Sequence, residues 1–203
     1  MSQLISGGRL ILASNSPRRK EILSAMGLQF EVIPAHVDER SIPADHPRTY
    51  AIRCAYMKAL AVAAKAETGD LILAADTIVT KEMVIYGKPL DESEAFSILR
   101  QLSNRTHQVI TGVALLSVGK SEVELHAEES HVTFHNFTDA MIRDYIATGS
   151  PMDKAGAYGI QDLDSKYLAG FQGDYTNIVG LPSALVAQML QPHVSGNVKL
   201  RGL

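Results

Sequence analysis

A single cysteine, Cys54, among 203 residues has no partner for an intramolecular disulfide and cannot build a cysteine zinc site, so a reducing cytoplasm is the expected compartment. No segment approaches the ~20 consecutive apolar residues of a membrane span. The opening Met1-Ser2-Gln3-Leu4-Ile5-Ser6-Gly7-Gly8 lacks a basic stretch followed by an apolar one, so neither membrane insertion nor export is expected. Charge of one sign is also missing. Nineteen Lys and Arg against 22 Asp and Glu give a net charge of -3, which argues against a surface built for duplex nucleic acid. There is no internal repeat, low-complexity tract or Ser/Gly linker, so two lobes sharing one sheet fit better than separate beads. The histidines form no convincing metal set: His131 and His135 alternate on one strand face without a further ligand nearby and read as surface residues. Cys54, in a helical stretch without an activating neighbour, reads as a buried, inert thiol.

What is present is 46% hydrophobic and 20% charged sequence, a soluble globular composition long enough for one domain or two small fused lobes. Arg9-Leu10-Ile11-Leu12-Ala13 reads as a strand. Pro17 then opens a helix with Ile22, Leu23 and Met26 on one face and Gly27 as its stop. A second strand is expected over 30–34, a polar loop over 37–43, and a long alanine-rich helix over 47–67 closed by Gly69. Leu71-Ile72-Leu73-Ala74-Ala75 is a buried strand ending at Asp76-Thr77. A helix follows over 92–102, then two long β segments, 107–118 and 122–135, joined by a hairpin at Gly119-Lys120-Ser121. Thr138 starts a helix that Gly149 and Pro151 end. Short strands are expected at 157–161 and 167–171, and a last helix over 182–190. The alternation predicts an α/β protein with a mixed sheet.

Ser14-Asn15-Ser16-Pro17-Arg18-Arg19 joins the first strand to the first helix. With Ser16 as N-cap, free N–H groups and the positive helix end face the loop beside two guanidinium forks, which suits phosphate. An ordinary capped helix with two solvated arginines is the competing reading, and no Walker A pattern is present. Asp76, read at the C-terminal end of a buried strand, stands where open α/β sheets place ligand groups; beside Thr77 it suits a hard cation or a water, and the bland alternative is a turn-capping acid. Glu39 can add a second oxygen ligand, because Mg²⁺ takes one or two carboxylates plus phosphate and water. Lys58 and Lys88 matter only where the fold turns them toward the arginines, and otherwise snorkel to solvent. Asp153-Lys154-Ala155-Gly156-Ala157-Tyr158-Gly159-Ile160-Gln161 suits close approach of a flat ligand, with Gln161 offering a donor and an acceptor to a base edge; a structural loop that merely needs glycine torsions is the competing reading.

Together with Ala74-Ala75-Asp76-Thr77-Ile78-Val79, Gly87-Lys88-Pro89, His107-Gln108-Val109-Ile110-Thr111-Gly112 and the 177–182 segment, these runs resemble the Maf family of nucleotide pyrophosphatases over nearly the whole chain. The run from 153 to 161 resembles the branch acting on dTTP and UTP rather than 7-methyl-GTP. Asn15 departs from the pattern, in which Gly or another small residue is common there. The resemblance implies a two-lobed mixed β-sheet flanked by helices around a central cleft, of the Maf/ITPase-like kind, over residues 1–193, followed by a tail over 194–203. It implies hydrolysis of a nucleoside triphosphate between the α and β phosphates with a divalent cation, Mg²⁺ or Mn²⁺, and a homodimer. Asp76 matches the proton acceptor, and with Glu39 it is expected to hold the metal. Arg18, Thr77 and Gln161 match specificity positions, while Ser14, Arg19, Lys58 and Lys88 match other substrate-site positions. The alternative is a nucleotide-binding regulator of cell division acting through a protein partner.

Overall fold

The computed structural model describes residues 7–120, 122–194, 200 and 202–203. Strand β1 (Leu10–Leu12) is fully buried. It leads through a short loop into α1 (Pro17–Ala25), which opens on a proline whose fixed φ suits the first helical turn. Ser16 occupies the N-cap position, but its side chain makes no capping bond. Instead the Ser16 N–H donates to Ser14 Oγ at 3.2 Å. After β2 (Glu31–Val32), residues Glu39–Ser41 form a 3-10 turn and α2 runs over Pro47–Ala63, stopping short of the expected 67.

Helix α2 packs a row of small residues, Ala51, Ala55 and Ala59 with Cys54, against the sheet, all of them fully buried. The facing residue must be small too: a Cβ on Gly112 would fall 2.3 Å from the Ala51 backbone. This close approach fixes where the helix's other side chains emerge.

Strand β3 (Leu71–Lys81) is eleven residues long, followed by β4 (Val84–Tyr86), α3 (Glu92–Leu102), β5 (Thr106–Ser117), β6 (Glu122–Phe134), α4 (Asp139–Ala147), β7 (Leu168–Gln172), α5 (Tyr175–Val179) and α6 (Ser183–Leu190). The strands form one mixed sheet in the order β2-β1-β3-β5-β6-β7, with β4 also on β3. The α/β, mixed-sheet expectation therefore holds. Ser121, the third residue assigned to the β5–β6 turn, lies outside the described residues, while the register continues from Ser117↔Glu122.

The position expected for Asp76 is corrected. Asp76 is not at a strand end but in the interior of β3, paired with Gly112 of β5 in a ladder that runs from Leu71↔Ser117 to Thr80↔Gln108. On the opposite edge, β1 pairs in parallel with Leu71, Ile72 and Leu73, and β4 pairs with Val79, Thr80 and Lys81. Between these partners, among the described residues, no strand covers 74–78. The sheet splits there, and Asp76 and Thr77 lie in the split. The missed hairpin explains the error: β3 turns into β4 through Glu82 and Met83, both at positive φ (52° and 69°), without the glycine or asparagine that usually marks such a turn.

A second correction concerns 157–161. These residues form no strand; short 3-10 turns cover Ala155–Ala157 and Ile160–Asp162. Gly156 and Ala157 both have positive φ (69° and 59°), which breaks extended pairing.

Packing divides the molecule at the split. On one face of the sheet Leu10, Leu12, Leu73 and Leu115 pack with Leu23, Val186 and Leu190 from α1 and α6. On the other, Ile11, Ile72 and Ala114 meet α2. The second lobe gathers Val79, Val109, Val132 and Phe134 with α3, α4 and the 3-10 turns. Each fully buried Leu or Ile contributes roughly 1.5–3 kcal/mol, so both lobes are held together by apolar packing behind the cleft. Of the described residues beyond 193, Val194 and Leu200 are buried in the first cluster, and Leu203 N–H donates to Ser183 Oγ at 2.8 Å.

Candidate active site

The split in the sheet opens a cleft of about 460 Å³. Ser14, Arg18 and Arg19 line it from the β1–α1 side, Asp76 and Thr77 from the floor, Glu39 and Lys58 from one end, Lys88 from the loop after β4, and Gln161 from the far wall. All eight residues singled out as catalytic or substrate-binding, and Glu39 with them, are thus brought together.

Lys58 does not snorkel to solvent. Its Nζ lies 2.5 Å from Asp76 Oδ1 and 2.6 Å from Glu39 Oε1, with only 14% of the side chain exposed. Burial alone would lower the Lys58 pKa, but Asp76 and Glu39 outweigh it and the ammonium is held above its ordinary value. Burial likewise pushes the Glu39 carboxyl up, yet Lys58 overcomes it and holds that group below the usual carboxylate range.

Arg19 is anchored differently. Its Nε donates to the Gly180 carbonyl at 2.9 Å, Nη1 to Ser14 Oγ at 3.3 Å, and Nη2 to Thr77 Oγ1 at 3.1 Å. Thr77 Oγ1 meets Thr111 Oγ1 at 2.9 Å, and Thr111 donates to the Asn177 carbonyl at 3.0 Å. Thr77 Oγ1 also lies 3.4 Å from the Gly180 carbonyl, so its one hydroxyl proton serves either that oxygen or Thr111 Oγ1. The partners of Arg19 here are a carbonyl and two hydroxyls, not a carboxylate. Burial lowers its pKa, and Asp76 opposes that shift. A half-buried guanidinium whose hydrogen bonds go to neutral oxygens suits an anion, because a partly desolvated cation gains when an opposite charge joins it.

The far wall is built from 150–162. Lys154 Nζ donates to the Ser150 carbonyl at 2.7 Å and to Asp153 Oδ1 at 2.8 Å, and faces Asp162 Oδ2 at 3.4 Å. Arg18 Nη1 reaches across the cleft mouth to Asp153 Oδ2 at 3.7 Å. Gln161 is exposed at the cleft.

Among the described residues, no three His, Cys, Asp or Glu side chains converge to hold a metal ion unaided. Glu39 and Asp76 nevertheless fit one: two carboxylates already share a single positive centre, and a divalent ion completes its shell with water and phosphate oxygens.

Tyr50 was not singled out from sequence. It lines the cleft and donates from Oη to the Glu39 carbonyl at 3.2 Å, holding that turn in place. Its spacing was a usable signal: Tyr50, Cys54 and Lys58 recur every four residues and so fall along one side of α2. Cys54 is fully buried, and burial, with Asp76 adding to it, raises its thiol pKa to about 12.

The family pattern described as Maf-like protein matches residues 9–193. The chain is 48% identical over 185 residues to a protein of Koribacter versatilis named dTTP/UTP pyrophosphatase, covering 91% of this chain and 94% of that protein. It is 46% identical to a protein of the same name from Syntrophomonas wolfei, covering 88% and 94%. A third, from Alkaliphilus metalliredigens, is 44% identical over 94% of this chain and 98% of its own length, and carries the same name.

Proposed function

The chain belongs to the Maf-like family, and we propose from that premise that it hydrolyses dTTP and UTP to the nucleoside monophosphate and pyrophosphate. The observation that carries this reading is the half-buried Arg19 guanidinium, bound only to neutral oxygens in its hydrogen bonds, beside the Lys58–Asp76–Glu39 cluster. A triphosphate supplies the negative charge that this arrangement lacks.

In this reading Arg18, Arg19 and Lys88 bind phosphate oxygens, with Ser14 and Thr77 fixing the guanidinium of Arg19. Asp76 orients a water toward the α phosphorus and takes its proton. Lys58 keeps the two carboxylates apart from each other's charge and approaches the phosphates as they arrive. Asp76 and Glu39 would hold Mg²⁺ or Mn²⁺, which would supply charge neutralisation for the phosphates. Positioning and charge stabilisation carry most of the rate. Gln161 reads the base edge, with a donor and an acceptor for a pyrimidine.

Residues 1–193 act as the functional unit, and two copies associate in the cytoplasm; these statements rest on family likeness and, for the compartment, on cysteine usage. Light scattering reading twice the chain mass supports the dimer, and a monomer mass overturns it. A regulator that binds nucleotides without turnover is not favoured, since the similar proteins carry an enzyme's name. The test of the whole reading is pyrophosphate release from dTTP, UTP, CTP and 7-methyl-GTP with Mg²⁺. The reading expects dTTP and UTP to lead; equal rates on all four, or a preference for 7-methyl-GTP, would remove the substrate assignment.

A further inference from the structure

Gln161 lies on a wall made of short turns rather than a helix or strand, yet that wall is pinned from behind. Tyr158 lines the cleft, and its Oη meets His107 Nε2 at 2.7 Å. Both residues are buried, at 5% and 2% exposure. Their rings pack edge-on, with centroids 5.4 Å apart, and Phe134 closes the group at 4.8 Å from each. The next residue, Gly159, donates its N–H to Tyr145 Oη of α4 at 3.1 Å. On the other side of Gln161, Asp162 Oδ2 accepts from Ser150 Oγ at 2.7 Å. Gln161 is therefore bracketed within four residues by three anchors.

His107 differs from the other two anchors because it belongs to the sheet. It sits near the start of β5, paired with Val132 of β6, so it ties the turn to the β5–β6 ladder. Burial drives its pKa down to about 3, so the ring is neutral. Its Nδ1 has no partner among the described residues. Nε2 therefore makes the ring's one hydrogen bond, with Tyr158 Oη. The bland alternative is a core histidine that serves stability alone.

We propose that His107 is a positioning residue for base recognition: acting through the Tyr158 hydroxyl, it fixes the turn that presents Gln161 and so sets selectivity among pyrimidine nucleotides. This rests on the assignment of the cleft to a nucleoside triphosphate. Nothing about the phosphate end passes through His107, so its removal acts on substrate affinity and choice, not on the chemical step.

The test uses the full chain with Tyr158→Phe, His107→Leu and His107→Gln, each checked by thermal melting, with kcat and KM measured for dTTP, UTP and CTP. Tyr158→Phe and His107→Leu are expected to raise KM for dTTP about tenfold, as for loss of one buried hydrogen bond, to narrow the dTTP-to-CTP preference, and to leave kcat within about twofold. His107→Gln, whose amide nitrogen reaches where Nε2 lies, is expected to restore most of the preference. An unchanged KM and preference in folded Tyr158→Phe overturns the proposal, as does a fall in kcat alone. If His107→Leu does not fold, Tyr158→Phe, which removes one oxygen, decides the matter. Calorimetry with dTMP and CMP needs no turnover. A wild-type chain that binds dTMP but releases no pyrophosphate sinks the hydrolysis reading, and this inference is then decided by whether Tyr158→Phe narrows the dTMP-to-CMP affinity ratio.

Discussion

On one side of the cleft, Arg19, Lys58 and Asp76 project from α1, α2 and β3; Lys58 and Asp76 are held by a short ion pair and Arg19 by three neutral oxygens. On the other, 153–161 is a chain of turns with its backbone fastened by the neutral side chains of Tyr145 and His107, the latter through Tyr158. The contrast follows from what each side has to meet. A polyanion interacts strongly with any misplaced charge, so its receptor stands on regular elements whose positions are set by buried packing. A base is distinguished by the direction of one or two hydrogen bonds, which a turn provides if its backbone cannot drift. The charged end takes its precision from helices and strands, and the recognition end from a second layer of side chains.

The comparison breaks most severely at Asp76. Asp76→Asn keeps the shape and one hydrogen-bonding oxygen but removes the charge and the proton acceptor, and the expected loss is about 10³-fold in kcat with base preference unchanged; steady-state kinetics on dTTP and CTP reads both. Next in size is Lys58→Ala, which leaves two carboxylates facing each other. A fall of about 10²-fold in kcat/KM is expected, in line with loss of one preorganised charge at a reacting centre. This variant also changes the pH dependence of stability. The depressed Glu39 pKa contributes stability that is present above its ordinary value of 4.5 and lost as pH falls through the lowered one. The raised Lys58 pKa contributes stability present below 10.5 and lost as pH climbs through the raised one. Denaturant titrations across pH should show both limbs flattened in Lys58→Ala.

A smaller effect, and a sharper test of how the charged end is built, comes from Gly112→Ala. The added methyl carbon would lie 2.3 Å from the Ala51 backbone, so α2 must shift, at a cost of about 1–3 kcal/mol in a denaturant melt. Because α2 carries Lys58, kcat should fall together with stability, while discrimination between dTTP and CTP holds. The smallest effect is expected at Asp153→Asn. Its contact with Arg18 is long, 3.7 Å, and 68% of the Asp153 side chain is exposed, so it is worth at most about 1 kcal/mol. The change in KM should stay within about fivefold and vanish at high salt.

Much of this division was legible in the sequence. The apolar run of β1, Pro17 at the start of α1, the helix over 92–102 and the long β5–β6 ribbon follow from local pattern. The extension of β3 through Asp76 was hidden, because polar Asp76 and Thr77 look like the end of a strand when read without their partner β5. Turn 157–161 alternates enough apolar residues to resemble a strand; the positive φ values of Gly156 and Ala157 and the 3-10 turn at Ile160–Asp162 separate it from one. At the site, the phosphate-binding reading of 14–19 came from local chemistry, whereas the meeting of Lys58, Glu39 and Asp76 rested on family likeness, since it spans three separate elements. His107, Tyr145 and Tyr158 carried no local sign of their pairing: each looks like an ordinary core residue until the fold places one hydroxyl beside one ring nitrogen.

The most direct test of the central claim follows dTTP and Mg²⁺ by ³¹P NMR in ¹⁸O-labelled water, with the wild-type chain and with Asp76→Asn. Attack at the α phosphorus yields dTMP and pyrophosphate in equal amounts, with the label in dTMP and almost no product from the variant. Release of orthophosphate with dTDP, label in the pyrophosphate, or wild-type turnover by Asp76→Asn would contradict it.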